Sequence, residues 1–284
     1  MKAPGHGYLG PVGSMAPVLL TVDEAESVDA RNSLRTTVSG RVYAQRRTLR
    51  PRRTWSVSAD RVAARDHAWI AQLAGGYDGP QTVAWYSASA VMGNILPPEV
   101  AAMGADQLAG VQMPGGSVSV PDMAGAPAPR WDGRVLGTAT QTTTAIVPVG
   151  GRVPVPDVIP LTASVFLTAQ AGARPQLVVR EYDPQGVMVR EHRAQGALNA
   201  ALERVHVIFT TDPRTVTVQL ATVGALRTAA PAVSLTDRLV PWSEGMGCLS
   251  AVVDSVGWSP VRGVYAGGVG DRIGTRSFTI TEVG

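Results

Sequence analysis

From Thr162 onward the chain is cut into short apolar runs by turn signals about 8–12 residues apart, and this rhythm constrains the fold more than any other feature. The runs cover residues 162–169, 176–181, 187–191, 205–210 and 215–220, and they are rich in Val, Ile, Leu and Thr. Such runs are too short for self-supporting helices and suit the pleated, half-buried surface of a strand. Tyr182-Asp-Pro-Gln-Gly186 places Asp, Pro and Gly where a type I turn with a following left-handed glycine wants them, which predicts a hairpin. Thr211-Asp-Pro-Arg-Thr215 makes a similar reversal. Upstream, residues 138–149 form a Thr/Val/Ile strand stretch, and 153–160 repeat proline in a way no helix tolerates. Arg276-Ser-Phe-Thr-Ile-Thr-Glu282 alternates, turning Phe278 and Ile280 to one face as a closing strand. No internal repeat is visible. A β-sandwich over residues 105–284 follows.

The first hundred residues read differently. Strands are predicted at Ala16–Val22, Arg41–Ala44, Thr54–Ser58 and Thr82–Tyr86. Between the last two, residues 60–74 carry Val62, Trp69, Ile70 and Leu73 at helical spacing. Ser58 or Asp60 would cap that helix, and Gly75 or Gly76 would end it. Trp55, Trp69 and Trp85 are core candidates. Asn94-Ile-Leu-Pro-Pro98 breaks the pattern, and the domain boundary is expected near Met103. A chain of 284 residues fits two domains. Its 45% apolar and 17% charged residues, with 31 Gly and 21 Pro, favour a turn-rich, mainly β fold. The expected architecture is an N-terminal β-barrel or sandwich with one helix (1–104) followed by a second β-sandwich (105–284).

Most catalytic classes lack their residues. Lys2 is the sole lysine, so no P-loop or Schiff-base lysine exists in the body of the chain. Cys248 is the single cysteine and closes no internal disulfide. His6, His67, His192 and His206 show no metal-ligand spacing. Gly268-Val-Gly270-Asp-Arg-Ile273 begins like a dinucleotide fingerprint, but Ile273 stands where the last glycine belongs, so it reads as a loop before the final strand. No Gly-x-Ser-x-Gly elbow occurs. Asp183, Glu191, Asp212, Asp237, Glu244 and Asp254 are scattered, and turns account for Asp183 and Asp212. No catalytic, cofactor-binding or metal-binding residue is assigned, and no enzyme is expected. Gly5, Gly7, Gly10, Pro11, Gly13 and Pro17 interrupt the N-terminus, so no signal peptide is expected. No apolar stretch is long enough to predict a membrane span.

Two features carry positive information. Arg41, Arg46, Arg47, Arg50, Arg52 and Arg53 cluster before the predicted strand at Thr54. A net charge of +3, with no aromatics interleaved beyond Tyr43 and Trp55, disfavours sequence-specific nucleic-acid binding. That leaves a solvated or subunit-facing loop, with Arg46, Arg47, Arg50, Arg52 and Arg53 at a protein interface or lining a lumen. The second feature is Trp131, Trp242 and Trp258, which sit in Gly/Pro-rich surroundings of the second region. Exposed aromatics there would stack on sugar rings. Trp242 reads as a packed edge, which leaves Trp131 and Trp258 as candidate glycan contacts.

Residues 53–98 resemble a pattern of minor tail proteins of actinobacterial siphophages. The matching pieces are Arg53-Thr-Trp-Ser-Val57, Leu73-Ala-Gly-Gly76, Tyr77-Asp-Gly-Pro80, Val83-Ala-Trp-Tyr86 and Asn94-Ile-Leu-Pro97. The second region resembles a jelly-roll or carbohydrate-binding-module-like sandwich through Val153-Pro-Val-Pro156, Thr162-Ala-Ser164, Tyr182 to Gly186, Pro241-Trp-Ser-Glu-Gly245-Met-Gly247 and Phe278 to Gly284. A departure is Val155-Pro-Asp157, where a Pro-Gly turn is expected. The resemblance implies a distal tail protein: residues 1–104 form a tail-tube-like domain that assembles as a hexameric ring continuing the tail tube. Its implied partners are further copies of itself, the tail tube protein, the tip or hub and tape measure proteins, and a host cell-wall glycan. The implied place is the virion tail, assembled in the host cytoplasm without membrane or cofactor. The alternative is a carbohydrate-binding receptor-recognition protein of the tail.

Overall fold

The computed structural model describes residues 6–19, 23–29, 32–36, 42–46, 52–76, 82–103, 117–119, 138–141, 145–169, 174–197, 203–224, 226–266 and 271–283. The chain is mainly β. It opens with β1 (His6–Gly10), β2 (Ala16–Leu19), β3 (Asp23–Asp29), β4 (Asn32–Thr36), β5 (Val42–Arg46) and β6 (Arg52–Ala63). Then follow α1 (Ala64–Gly75), β7 (Val83–Tyr86), α2 (Ala88–Met92) and α3 (Pro98–Ala102). Next come β8 (Ser117–Ser119), β9 (Thr138–Gln141), β10 (Ile146–Pro148), β11 (Val153–Pro154) and β12 (Pro160–Ala169). The remainder is β13 (Gln176–Tyr182), β14 (Met188–Gln195), β15 (Glu203–Thr210), β16 (Thr217–Val223), β17 (Leu226–Ser234), β18 (Cys248–Ala266) and β19 (Asp271–Glu282).

Two compact units result, and each is discontinuous in sequence. The first joins Met1–Val18 to Ala84–Leu249, and the second joins Leu19–Val83 to Ser250–Gly284. This differs from a cut near Met103, which falls inside the first unit. The reason is long-range strand pairing: β19 pairs antiparallel with β6, so the closing strand belongs with residues far upstream rather than with the sandwich.

The first unit is built on two antiparallel sheets, one ordered β10-β16-β13-β14 with β11 on β16, the other β15-β12-β17-β9-β8. Strand alternation sets their shared core. Leu161, Ala163, Val165 and Leu167 of β12 and Leu177 and Val179 of β13 are fully or nearly fully buried, as are Val218 and Leu220 of β16, and all belong to one hydrophobic cluster. The predicted strands at 162–169, 176–181, 187–191, 205–210 and 215–220 all appear with ends shifted by a few residues. The predicted hairpin forms between β13 and β14, with Asp183 N–H donating to Val187 O at 3.0 Å and Gly186 at φ 77°. Thr211–Thr215 turns the chain from β15 in one sheet to β16 in the other, through Thr215 N–H to Asp212 O at 2.9 Å.

Two of the motifs singled out in sequence meet here. Asn94 is wholly buried; its side-chain amide donates to Pro231 O and Ser243 O, and its Oδ1 accepts from Leu96 and Val233 N–H. Met246 and Gly247 donate their N–H groups to Asn94 O and Leu96 O. A Cβ on Gly247 would collide with the Ile95 carbonyl, so this crossing demands glycine. Asn94–Pro97 and Pro241–Gly247 are thus two halves of one structural joint. Trp242 is half-buried there, against Ala102, Ala229 and Ala230, as a packed edge.

In the second unit β18, β19, β6 and β3 lie side by side. Val57 faces Phe278 and Trp55 faces Ile280 across the β6–β19 ladder, and all four are buried. The helix starts later than predicted, at Ala64. Ser58 is paired in the ladder opposite Ser277 and Asp60 accepts from the Thr275 hydroxyl at 2.7 Å, so neither is available as a cap. Ala63 takes the cap position without a side-chain bond, and Val62 falls in β6 rather than on the helix. Gly76 ends the helix in the left-handed region, as its position predicts. Ile70 is the helix's buried contact; Trp69 and Leu73 are half-buried.

Candidate functional site

The most organised polar surface of the first unit is the outer face of β16, β13 and β14. The registers place Gln219, Arg180 and Glu191 in one row across the three strands, with Ala221, Val178 and Arg193 in the next and Val223, Gln176 and Gln195 beyond it. Neighbouring strands lie about 4.8 Å apart, so these planar amide, guanidinium and carboxylate groups form a grid, interrupted in its middle row by the buried Val178 and Ala221. Arg180 Nε donates to Glu191 Oε2 at 2.8 Å, Arg193 Nε to Glu191 Oε1 at 2.7 Å, and Arg193 Nη1 to Gln176 Oε1 at 3.3 Å. The bond from Arg180, helped by Arg193, holds the Glu191 carboxyl below its usual range against a smaller opposing effect of burial. The bond to Glu191 in turn raises Arg180. At the end of the face Tyr182 donates its hydroxyl to Gln219 Oε1 at 3.2 Å, and the exposed Arg152 lies flat on its ring, the guanidinium carbon 3.7 Å from the centroid.

Behind this face sits a cluster that sequence spacing did not reveal. Glu181 points inward and is wholly buried. Its Oε1 is 2.6 Å from His192 Nε2, and its Oε2 accepts from Asp212 N–H at 2.8 Å and Thr215 Oγ1 at 2.6 Å. His192 stacks on Phe209 with centroids 3.8 Å apart. Both carboxylate oxygens are partnered, so this is a clamp tying the 211–215 turn to β13, without a free acid, base or nucleophile. The signal available in sequence was a charged residue at an apolar-phase position of β13. Among the described residues no group of three or more His, Cys, Asp and Glu side chains could hold a metal. Cys248, the single cysteine, is buried and forms no internal disulfide.

The residues singled out for interfaces separate. Arg46 ends β5 and its side chain lies outside the description, as do Arg47 and Arg50. Arg52 is half-buried at the start of β6. Arg53 is 5% exposed; Nε and Nη2 each donate at 3.0 Å to the two Glu282 oxygens, and the guanidinium lies over Trp55. Its side chain is engaged in an internal ion pair between β6 and β19. Trp131 lies outside the described residues, as do Tyr77–Pro80 and the Gly268–Gly270 segment. Trp258 lies in β18 of the second unit, not in the sandwich, and stacks on His67 at 4.9 Å. One of its faces is therefore covered. Burial, and then the nearby Arg276 guanidinium, lower the pKa of His67.

No protein-family model matches the chain, and no curated protein matches it. Solved structures similar to parts of it include a bacteriophage CBA120 tailspike protein 4 domain, at TM-score 0.34 and 9% identity, covering 50% of this chain and 21% of that one. A family 16 carbohydrate-binding module aligns at TM-score 0.34 and 14% identity, over 52% of this chain and 100% of the module. A structure described as CBM4 aligns at TM-score 0.29 and 13% identity, over 43% of this chain and 79% of that one. Among the described residues no helix is long and apolar enough to cross a membrane.

Proposed function

We propose that this chain is a phage tail protein whose sandwich binds carbohydrate through the outer face of β16, β13 and β14. The supporting observation is the grid of Gln219, Arg180, Glu191, Arg193 and Gln176, planar hydrogen-bonding side chains held in register by three adjacent strands. Vicinal sugar hydroxyls pair well with such fixed carboxylate, amide and guanidinium groups, and a face already ordered by its own bonds has little side-chain entropy to lose on binding. Calorimetric titration of the whole chain with host cell-wall polysaccharide tests this reading. Binding that weakens on Glu191→Ala is expected; no heat with any wall polysaccharide overturns it.

A second reading concerns assembly. In it the part of residues 1–104 that lies in the second unit forms a ring continuing the tail tube. The observation favouring it is that β3 is an edge strand with Asp23, Glu24, Glu26 and Asp29, while β5 ends on Arg46, which Arg47 and Arg50 follow in sequence. An acidic edge and a basic hairpin on one chain suit head-to-tail contact between copies. Replacing Arg46, Arg47 and Arg50 by Ser would then block tail assembly and leave the monomer folded; normal tails from that variant would refute it.

A further inference from the structure

We infer that the sheet-face platform takes a polyanionic glycan, a chain carrying carboxylate or phosphate groups, in preference to a neutral one. The inference rests on the proposed glycan-binding role and names the class of ligand. Neutral sugars are commonly held by stacking a ring on an open aromatic face, because the C–H face of a pyranose matches a π-surface. Tyr182 is the aromatic residue among the described residues of this face, and it is only 7% exposed. The Arg152 guanidinium covers its ring at 3.7 Å. What reaches solvent at that position is therefore a cation.

Charge balance along the face points the same way. Among the described residues of this face, Arg152, Arg180 and Arg193 stand beside one carboxylate, that of Glu191, which pairs with Arg180 and Arg193. Glu191 already accepts from both Arg180 and Arg193, so Arg152 has no part of it. Among the described residues the Arg152 hydrogen bond is a long one of 3.4 Å from Nη2 to Gly186 O. Its Nε and Nη1 remain as donors on an exposed side chain, and the Arg193 side chain is 50% exposed. Guanidinium forks match the paired oxygens of carboxylate and phosphate, and two of them bracketing a polar row suit a repeating anionic chain. The ion pair of Glu191 keeps that carboxylate ionised and oriented, so it orders both arginines without cancelling them.

The test is calorimetry on the whole chain at low salt with three probes of similar length: polygalacturonate, poly(glycerol phosphate) and the neutral glycan xylan. The expected result is binding of one or both polyanions at least about tenfold tighter than xylan, with the two probes separating carboxylate from phosphate as the recognised group. Arg193→Ala and Arg152→Ala should each weaken polyanion binding about tenfold, the size of a lost hydrogen bond to a charged group. Raising the salt to about 0.5 M should weaken the polyanion complex and leave any xylan binding unchanged. Arg152→Ala, by uncovering Tyr182, should also raise xylan affinity severalfold. Xylan binding as tightly as either polyanion overturns the inference and leaves the glycan platform standing. Polyanion binding untouched by both arginine substitutions overturns it as well, by placing the contact elsewhere. Failure of all three probes removes the platform itself.

Discussion

Two buried charged side chains, Glu181 in the first unit and Arg276 in the second, are partnered in opposite ways. In the sandwich, Glu181 is wholly buried and every carboxylate oxygen is taken, by His192, the Asp212 N–H and the Thr215 hydroxyl. In the second unit, Arg276 is 3% exposed, with Nη1 donating to Asp66 O at 3.4 Å, while among the described residues Nε and Nη2 find no hydrogen-bond partner. Burial lowers the Arg276 pKa, opposed by the nearby Asp66 charge. A buried polar group stabilises only when its partners are complete, and an incomplete one costs free energy. The difference shows that burial alone does not identify an important charge; counting partners does.

The largest expected effect is at Glu181. Replacing it with Ala leaves the Asp212 amide, the Thr215 hydroxyl and His192 without their acceptor, and should cost about 3–5 kcal/mol. Amide exchange in β13 and β16 should report that loss, because a two-unit chain need not unfold in one step. Protection within about 1 kcal/mol of wild type would show that the clamp is not structural. Arg276→Met provides the contrast. It removes a half-satisfied buried cation and keeps most of the volume, so stability of the second unit should change by no more than about 1 kcal/mol, toward higher stability. A loss above about 2 kcal/mol would mean that the unpaired edge is served by ordered water or an ion and would erase the contrast.

Two smaller effects sharpen the picture of the sandwich. Val158 has φ 49° and is exposed, at the turn after Val155-Pro-Asp157 where a Pro-Gly sequence was expected. A β-branched residue in the left-handed region is strained, so Val158→Gly should stabilise the first unit by about 1 kcal/mol, read as a higher thermal midpoint. An unchanged or lower midpoint would show that this turn relaxes its strain. The smallest effect is in acid. The Glu191 pKa is lowered by Arg180 and Arg193, so its stabilisation is fully present above the ordinary carboxylate pKa of about 4.3 and is lost as pH falls through the folded value. Glu191→Gln should flatten that part of the acid unfolding curve; an identical acid limb would show that the triad adds nothing to stability.

Local pattern was enough to read several elements. The Tyr182–Gly186 hairpin, the left-handed Gly76, the strands of the sandwich and the burial of Trp55 and Trp85 depend on residues within one turn or one strand of each other. Those interactions are short-range, and periodicity records them. Other features depend on partners far away along the chain. Arg53 stands in an arginine-rich run and reads as surface charge until Glu282, 229 residues later, is placed against it. Trp258 reads as part of the sandwich until β18 and β19 return to β6.

What the amino-acid sequence determined by itself is a mainly β chain with serial short strands between Thr162 and Leu220, which it read as part of a sandwich over residues 105–284, because turn chemistry and two-residue alternation act within each strand. Only the tertiary structure decided which strands close the second unit, that Glu181 and His192 meet, and that Arg152 covers Tyr182. Those outcomes depend on register between distant segments, where a shift of one residue would turn every side chain to the opposite face.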